Sequence, residues 1–452
     1  MDFVICLPSS LSCCIIGQWI EVNDIARLDS AFCVKKLRPA FLGLLSSTEC
    51  VIETNMQSSS QFVLTWLLDR QVKVEHFCIS RNANVKLGIQ YVAMFGRHVS
   101  KIVRVAGPGD YIFAADLLGI GIIEQLCEYG HLIDVECDNI SVHTLNELLV
   151  CNPFLRRLCF SASRKNQNDI LTDALMPNLS DLKPYAHVKI VMHLILLCPN
   201  LKSLDLHGFR TDLSDADFLT IAKQCRHLKA FAARRVNCSA SAHMEMSKIC
   251  CEIEILSLSG TMITDEAIEC IAVNLKQLRQ LDISKCTKLT KASLHSIVTH
   301  CASTLKLLWL GNKRNIASDA IIHLKSSLPF LFVHCLSVTY EDTIVPSAYD
   351  CAVCTVLRMY DLPFSSMIPI ITQCKLLHVL SLFPTGGVSE STISETGLTA
   401  IINNCPHLHT IIVYDYEIAT MRKLLKSVGR SITVIMAGGK ENMLANLIEF
   451  PL

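Results

Sequence analysis

The stretch Cys-Pro-Asn-Leu-Lys-Ser-Leu-Asp-Leu at residues 198–206 decides the fold of this chain. Its frame, Cys-x-x-Leu-x-x-Leu-x-Leu, returns at intervals of roughly 22 to 33 residues, with isoleucine, valine or methionine replacing some of the leucines. Further clear copies begin at Cys250, Cys351, Cys374 and Cys405. Self-similarity at a period of this length predicts stacked repeats and disfavours a globular enzyme fold.

A second pattern lies between the copies and predicts an amphipathic helix in each interval. Ile263, Thr264 and Asp265 precede an apolar run, and the threonine hydroxyl is placed to accept from the free N–H groups of the first helical turn. Ser214, followed by Asp217, resembles a capping box. One unit is therefore predicted to be a helix, a turn, a short strand and a loop.

The alternation Leu-x-Leu points the leucines of each strand into the core and the intervening residues outward. A single unit cannot bury its apolar face, so the units must stack. The predicted fold class is α/β, a leucine-rich-repeat solenoid with a parallel sheet on the concave side and helices on the convex side. We expect a helical module at 1–48, a connection at 49–61, an array at 62–437 and a cap or tail at 438–452.

Composition limits the classes of partner. The 452 residues are 51% apolar and carry 41 basic and 41 acidic side chains, so the net charge is zero. That balance gives no electrostatic basis for nucleic acid or membrane binding, and neither is expected. The 23 cysteines are odd in number and recur at the core slot of the frame, which indicates reduced thiols and a cytoplasmic or nuclear protein. Asp2 and Pro8 argue against a signal peptide.

Two segments resemble known families. The frame at 198–206, together with Ile-Thr-Asp-Glu-Ala-Ile at 263–268, resembles the cysteine-containing leucine-rich repeat. Residues 7–45 resemble an F-box, a small helical module. The residues that carry this second resemblance are Leu7, Pro8, Ile15, Ile16, Trp19, Asp24, Ile25, Leu28, Ala31, Cys33 and Arg38.

The F-box resemblance implies docking on the Skp-type adaptor of a cullin ubiquitin ligase. The adaptor contacts that it implies are Leu7, Pro8, Ile15, Ile16, Trp19, Ile25 and Leu28. An alternative remains open, because the first repeat of any solenoid needs a cap and residues 7–45 could serve only that purpose. The adaptor hypothesis requires an exposed apolar face on this module, whereas the cap hypothesis expects that face to pack on the first repeat.

No catalytic, metal-binding or cofactor-binding constellation is predicted. Cys351 and Cys354 have the spacing of a redox or zinc motif, but no second pair completes a tetrahedral set. Gly119 and Gly121 lack the remaining glycines of a dinucleotide loop. An enzyme would need a cleft in which a cysteine and a histidine meet.

The residues between the strand leucines are the predicted binding surface for a protein partner. Exposed tryptophan, tyrosine and arginine dominate binding hot spots, and neighbouring exposed aromatic residues usually need a covering partner. The predicted contacts are an acidic row of Asp134, Glu136 and Asp138, and a second group of Leu307, Trp309, Arg358, Tyr360, Phe383, Ile412 and Tyr414.

The predicted function is non-catalytic recognition, as the substrate-binding subunit of an SCF-type cullin ubiquitin ligase that holds its protein substrate on the concave face. The alternative is a leucine-rich-repeat scaffold or inhibitor that has a helical cap and no ligase link.

Overall fold

A computed structural model shows the chain as two compact units, residues 1–201 and residues 202–452. The structure describes residues 8–19, 25–27, 29, 38–47, 50–52, 61–80, 85–105, 117–162, 173–206, 213–310, 324, 327–328, 332–334, 336–338, 356–360, 368–369, 371–383, 395–413 and 432–436. Helices alternate with short parallel strands in both units. The predicted α/β class, a leucine-rich-repeat solenoid, is confirmed.

In its described residues, the first unit begins with helical segments, which include residues 25–27 and 29, and continues as repeats. Its helices are α1 (Ser9–Trp19), α2 (Arg38–Ser46), α3 (Gln61–Asp69), α4 (Val85–Phe95), α5 (Leu117–Cys127), α6 (Val142–Cys151) and α7 (Val188–Leu197). Its strands are β1 (Val51–Ile52), β2 (Lys73–Val74), β3 (His76–Ser80), β4 (Lys101–Val105), β5 (Asp134–Ile140), β6 (Arg157–Ala162) and β7 (Asp181–Tyr185). β1 pairs with β2, and β3 to β7 pair side by side in chain order.

The second unit holds the most regular repeats. Its helices are α8 (Asp215–Gln224), α9 (Ala240–Ile249), α10 (Asp265–Asn274), α11 (Lys291–Cys301) and α12 (Glu395–Asn404). Its strands are β8 (Ser203–Asp205), β9 (Ala230–Ala232), β10 (Ile255–Ser257), β11 (Gln280–Asp282), β12 (Leu307–Trp309), β13 (Phe332–His334), β14 (Leu336–Val338), β15 (Val356–Tyr360), β16 (Val379–Phe383), β17 (Thr410–Val413) and β18 (Thr433–Met436). β8 to β13 pair in chain order, and β14 to β18 form a separate five-stranded sheet.

A row of buried apolar side chains runs across the second unit. The central residues of β8 to β12 are register partners and are almost fully buried: Leu204, Phe231, Leu256, Leu281 and Leu308. Burial of such a side chain contributes about 1.5 to 3 kcal/mol, and every strand shares its contacts with both neighbours. The repeats are therefore stabilised by stacking, as the leucine frame predicts.

The repeats are also joined at the helix starts. Ser214 and Asp217 form the predicted capping box at the start of α8. Thr264 precedes α10, but its hydroxyl makes no capping bond, contrary to expectation. The adjacent carboxylate of Asp265 instead accepts from the backbone N–H (2.9 Å) and the hydroxyl (2.6 Å) of Thr290 in the next repeat. The acidic residue at a helix start thus connects two repeats.

The recurring cysteine follows one helix and hydrogen-bonds to the end of the helix in the preceding repeat. Cys250 follows α9 and is fully buried, and its thiol donates to the carbonyl oxygen of Ala222 at 3.4 Å, in the last turn of the preceding helix α8. Cys405 donates in the same way to Ile371 at 3.3 Å. Carbonyl groups at helix ends lack intrahelical partners. Cysteine combines the small apolar volume that the slot requires with a weak donor for those groups.

A buried histidine makes the second unit sensitive to pH. His243 in α9 is fully buried, shares a hydrogen bond of 2.8 Å with the Ser239 carbonyl and packs on Phe218. Burial lowers its pKa below the ordinary value, although Ser239 and Asp215 partly oppose this shift. The unfolded chain therefore binds the proton more readily than the folded chain.

We expect the free energy of unfolding to fall as the pH drops below about 6.5, with a slope of at most about 1.4 kcal/mol per pH unit from this residue. Urea unfolding at several pH values measures it. His243→Phe should reduce the slope, whereas His295→Gln, a change at an exposed position, should not. An unchanged slope in His243→Phe would assign the dependence to other groups.

Candidate protein-binding surfaces

A row of charged residues crosses the sheet of the first unit. These residues lie on the face opposite to the buried apolar residues of the strands. His76, Lys101, Asp134, Arg157 and Asp181 are register partners on β3 to β7. Lys101 Nζ lies 2.8 Å from His76 Nε2. Arg157 Nη1 donates to Asp134 Oδ2 at 3.2 Å, and Arg157 Nε lies 3.8 Å from Asp181 Oδ2. These charges are largely satisfied by one another across the strands.

Arg157 forms ion pairs with two members of the predicted acidic row. Asp134 and Glu136 are half-buried on β5, and Glu136 Oε2 lies 3.8 Å from Arg157 Nη2. Asp138 lies on the same strand, but its side chain is outside the described residues. Burial alone would lower the pKa of Arg157, yet the surrounding carboxylates raise it above its ordinary value. A partner would therefore meet an ion-paired row here rather than free carboxylates.

The corresponding face of the second unit is polar and hydrogen-bonded. Arg234, just beyond β9, donates from Nε to Ser257 Oγ at 3.0 Å. Ser257 is 1% exposed and donates to Asp282 Oδ2 at 2.9 Å. The other oxygen of Asp282 accepts from the backbone N–H (3.0 Å) and hydroxyl (2.6 Å) of Ser284, whose hydroxyl lies 2.8 Å from that of Ser259. This network fixes the side chains of three adjacent repeats.

The predicted aromatic group is only partly described. Leu307 is half-buried, Ile412 is 8% exposed and Trp309 is 6% exposed. The alternation itself holds, because Leu308 and Leu310 beside Trp309 are buried as the frame requires. The low exposure of Trp309 departs from the expectation of an open indole, so this ring offers little area in the present conformation. Its role as an anchor stays a prediction.

Four further members of that group lie in or beyond β15 to β17. Arg358 and Tyr360 are on β15 and Phe383 is on β16, and the register pairs Tyr360 with Phe383. Their side chains are outside the described residues, and so is the whole of Tyr414. The structure thus brings Tyr360 and Phe383 to adjacent strands without describing their rings.

The N-terminal module divides its apolar residues between an inner and an outer face. Ile16 and Ile25 have no exposed surface. Ile15 is half-buried, Leu11 is 47% exposed and Pro8 is exposed. Trp19 ends α1 with its side chain outside the described residues, and Leu7 and Leu28 lie outside them entirely. Of the predicted adaptor contacts, Pro8 and Ile15 are therefore accessible, while Ile16 and Ile25 are in the core.

Asp29 connects this module to the first repeat. Its carboxylate is 4% exposed and accepts from Arg70 Nε at 2.9 Å, Trp66 Nε1 at 3.1 Å and Arg38 Nη2 at 3.2 Å. Trp66 lies in α3 and Arg70 directly follows it, whereas Arg38 begins α2. Lys73 is buried and reinforces the junction, because its ammonium donates to the backbone carbonyls of Ser46 (2.9 Å) and Ser47 (2.7 Å) at the end of α2.

The sequence frame did not predict these two junction residues. Asp29 and Lys73 occupy no position of the repeat frame. Arg38 is 9 residues from Asp29 in sequence, and the other partners of the two residues are 26 to 41 residues away. A signal was nevertheless present. Asp29 follows Leu28, and Lys73 lies between Val72 and Val74. A charged side chain that becomes buried at such a position requires a partner of opposite charge or a set of hydrogen bonds.

A cavity of about 680 Å³ lies between α4, α5 and α6 in the first unit. Its lining brings two cysteines and a histidine to one cleft: Cys127, Cys151 and His143. Burial raises the pKa of Cys127 to about 12, with Cys151 and Glu147 adding to the effect. His143 Nε2 lies 3.4 Å from Glu147 Oε1. The Cys127 thiol is therefore protonated, and the His143 imidazole contacts the Glu147 carboxylate. An activated cysteine nucleophile would instead require a thiolate or a base that contacts the thiol.

Two kinds of feature are absent from the described residues, a metal site and a membrane-spanning helix. Within those ranges, no three histidine, cysteine or acidic side chains are arranged to hold a metal ion. No described helix combines the length and apolar character needed to cross a bilayer.

Comparison with known proteins gives a limited result. No family model matches the chain. A solved structure that is similar to it is titled "Crystal structure of Rad7 and Elc1 complex in yeast", at 14% identity over 96% of this chain and 93% of that chain, with a TM-score of 0.45. At this level of similarity, neither partners nor activity are transferred to the present chain.

Proposed function

We propose that this chain is a non-catalytic protein receptor that holds a protein partner on the outer faces of its repeat sheets and docks on a ligase adaptor through α1. Leu11, Cys14 and Ile15 lie along one side of α1 with Pro8 just before it, and all four are exposed or half-buried. The opposite side, with Cys13 and Ile16, is buried. This exposed apolar stripe on a helix whose other side is packed is the observation that carries the proposal.

The junction at Asp29 supports the same function. Trp66 and Arg70 of the first repeat donate to Asp29 and fix the helical module to that repeat, so that a partner on the sheet of the first unit is held near an adaptor on α1. Such a receptor acts by raising the effective concentration of the substrate near the ligase. The free cysteines of the described residues support an intracellular site for this function.

The experiment is a pull-down of a Skp-type adaptor with the full-length chain. We expect capture by the wild type and a loss of about tenfold or more in Leu11→Glu with Ile15→Glu, because two carboxylates would interrupt the apolar contact. Phe62→Glu is the matched control, since Phe62 is 83% exposed on α3, away from α1. Capture that is unaffected by the α1 changes would contradict the proposed docking face.

A second function is favoured by a specific observation. Ile16 and Ile25 have no exposed surface, and the module is joined to α3 through Asp29, as expected of a cap that protects the first repeat. Absence of adaptor capture by every variant, with folding intact, would leave a capped repeat scaffold or inhibitor that binds proteins without a ligase link.

A further inference from the structure

Two of three successive turns in the second unit place a cation where glycine is the favoured residue. Arg235, Gly260 and Lys285 occupy the same position after β9, β10 and β11, and their φ angles are 57°, 72° and 58°. The turns are stacked, because Arg235 N donates to Ser259 O and Gly260 N donates to Ser284 O, both at 2.8 Å.

The left-handed conformation distinguishes these residues from ordinary surface cations. A residue with a side chain pays roughly 1 kcal/mol or more for a positive φ, whereas glycine adopts it freely. The middle turn uses glycine, and a Cβ there would meet the Arg235 side chain at 3.0 Å. The flanking turns retain arginine and lysine in spite of the strain. Strain kept at a surface position points to a role for the side chain.

Arg234 completes the group, which we call the strand-end basic cluster: Arg234, Arg235 and Lys285. The Nε of Arg234 donates to the hydroxyl of Ser257, and that hydroxyl donates to the carboxylate of Asp282. A guanidinium fixed at Nε keeps its two terminal nitrogens for an end-on bidentate contact, the geometry that suits a carboxylate. The anchoring also reduces the side-chain entropy that Arg234 would lose when it binds.

The cluster places three positive charges at neighbouring turns. Among the described residues, none of the three cations lies within 4 Å of a carboxylate oxygen. The carboxylate of Asp282 is linked to Arg234 through Ser257 and also accepts from Ser284, and its single negative charge offsets only part of the positive charge of the cluster. The charged groups of the first unit, in contrast, are paired with one another.

We infer that the strand-end basic cluster binds an acidic segment of the partner protein, a run of aspartate or glutamate side chains. The inference rests on the proposed receptor function and names the chemistry of its partner. Neighbouring strands are about 4.8 Å apart, so the distance from the first turn to the third corresponds to about three residues of extended peptide. A short acidic run can therefore contact all three cations. The chain's zero net charge does not favour nucleic acid.

The test measures binding of a fluorescent peptide with a run of glutamates to the full-length chain, by anisotropy at low salt. The key variant is Arg235→Gly with Lys285→Gly. Glycine relieves the positive φ, so thermal stability should be unchanged or higher, while affinity should fall about tenfold or more. Arg226→Ala with Lys276→Ala is the control, because it removes the same charge from exposed positions before β9 and β11.

The expected result is binding of the glutamate peptide to the wild type and the control, weak binding to the glycine variant and no binding of a glutamine version. Equal binding of the glutamine peptide, or equal affinity in the glycine variant, would overturn the inference. So would a clear preference for a phosphoserine peptide or for a single-stranded oligonucleotide. Peptide binding without adaptor capture would remove only the ligase link, and adaptor capture without peptide binding would remove only this inference.

Discussion

Asp29→Ala is expected to detach the N-terminal module from the first repeat at a cost of about 2 to 3 kcal/mol. Hydrogen bonds to a charged group contribute about 1.5 to 3 kcal/mol each, but they are not additive and the two arginines can regain water when the carboxylate is removed. Hydrogen exchange should show faster exchange in α1 and α2, with α8 to α11 unchanged. Limited proteolysis should show earlier cleavage between α2 and α3.

Asp69→Ala is the matched control, because Asp69 is an exposed acid at the end of α3, one residue before Arg70. It should leave both measurements unchanged. If Asp29→Ala leaves the exchange of α1 and α2 at the wild-type rate, the junction is held by its apolar contacts instead.

The same contact has a defined dependence on pH. Burial alone would raise the pKa of Asp29, but the bonds from Arg70 and Trp66 lower it below its ordinary value. The folded pKa therefore lies below that of the unfolded chain, about 3.9. The stabilisation is fully present above that pH and is lost as the pH falls through the folded pKa.

Leu204→Ala is expected to lower the free energy of unfolding of the second unit by about 2 to 5 kcal/mol, the range for removing a large buried side chain. Leu204 is 1% exposed and is the first residue in the buried row that continues through Phe231 and Leu256. A cavity here cannot close easily, because the paired backbones hold the strands in register. Chemical denaturation followed by circular dichroism measures the change.

Ser203→Ala, in the same strand, should change stability by less than about 0.5 kcal/mol, as surface substitutions usually do. The serine is half-buried and belongs to the alternate face of β8. Similar losses at both positions would show that the two faces of the strand are equally packed, contrary to the alternation.

The fold could be predicted because the same pattern of buried residues recurs in each repeat. The frame at 198–206 alone predicts which residues of the strand are buried. In the copies that begin at Cys250 and Cys405, the cysteine occupies the same position and bonds to the end of a helix. The acidic residues at helix starts were also predicted, although Asp265 bonds to the next repeat rather than supporting a cap by Thr264. Repetition identifies positions but leaves their partners in neighbouring units undetermined.

The surfaces could be predicted only in part, since they depend on side chains that meet across repeats. The alternation placed Asp134 and Glu136 on one face, but it did not show that Arg157 forms ion pairs with them. It placed Trp309 opposite the core without indicating its 6% exposure. The positive φ of Arg235 and Lys285 could not be deduced either, because a residue type other than glycine gives no local sign of that conformation.

The cysteines at the helix ends give this chain an unusual chemical character. Burial raises the pKa of Cys198 to about 12, and burial together with Cys251 does the same for Cys250, while burial raises that of Cys301 to about 11. Oxidants and electrophiles attack the thiolate, a form that these residues scarcely populate at neutral pH. These three buried thiols are therefore expected to resist oxidation, whereas Cys14, Cys151 and Cys251 are exposed among the described cysteines.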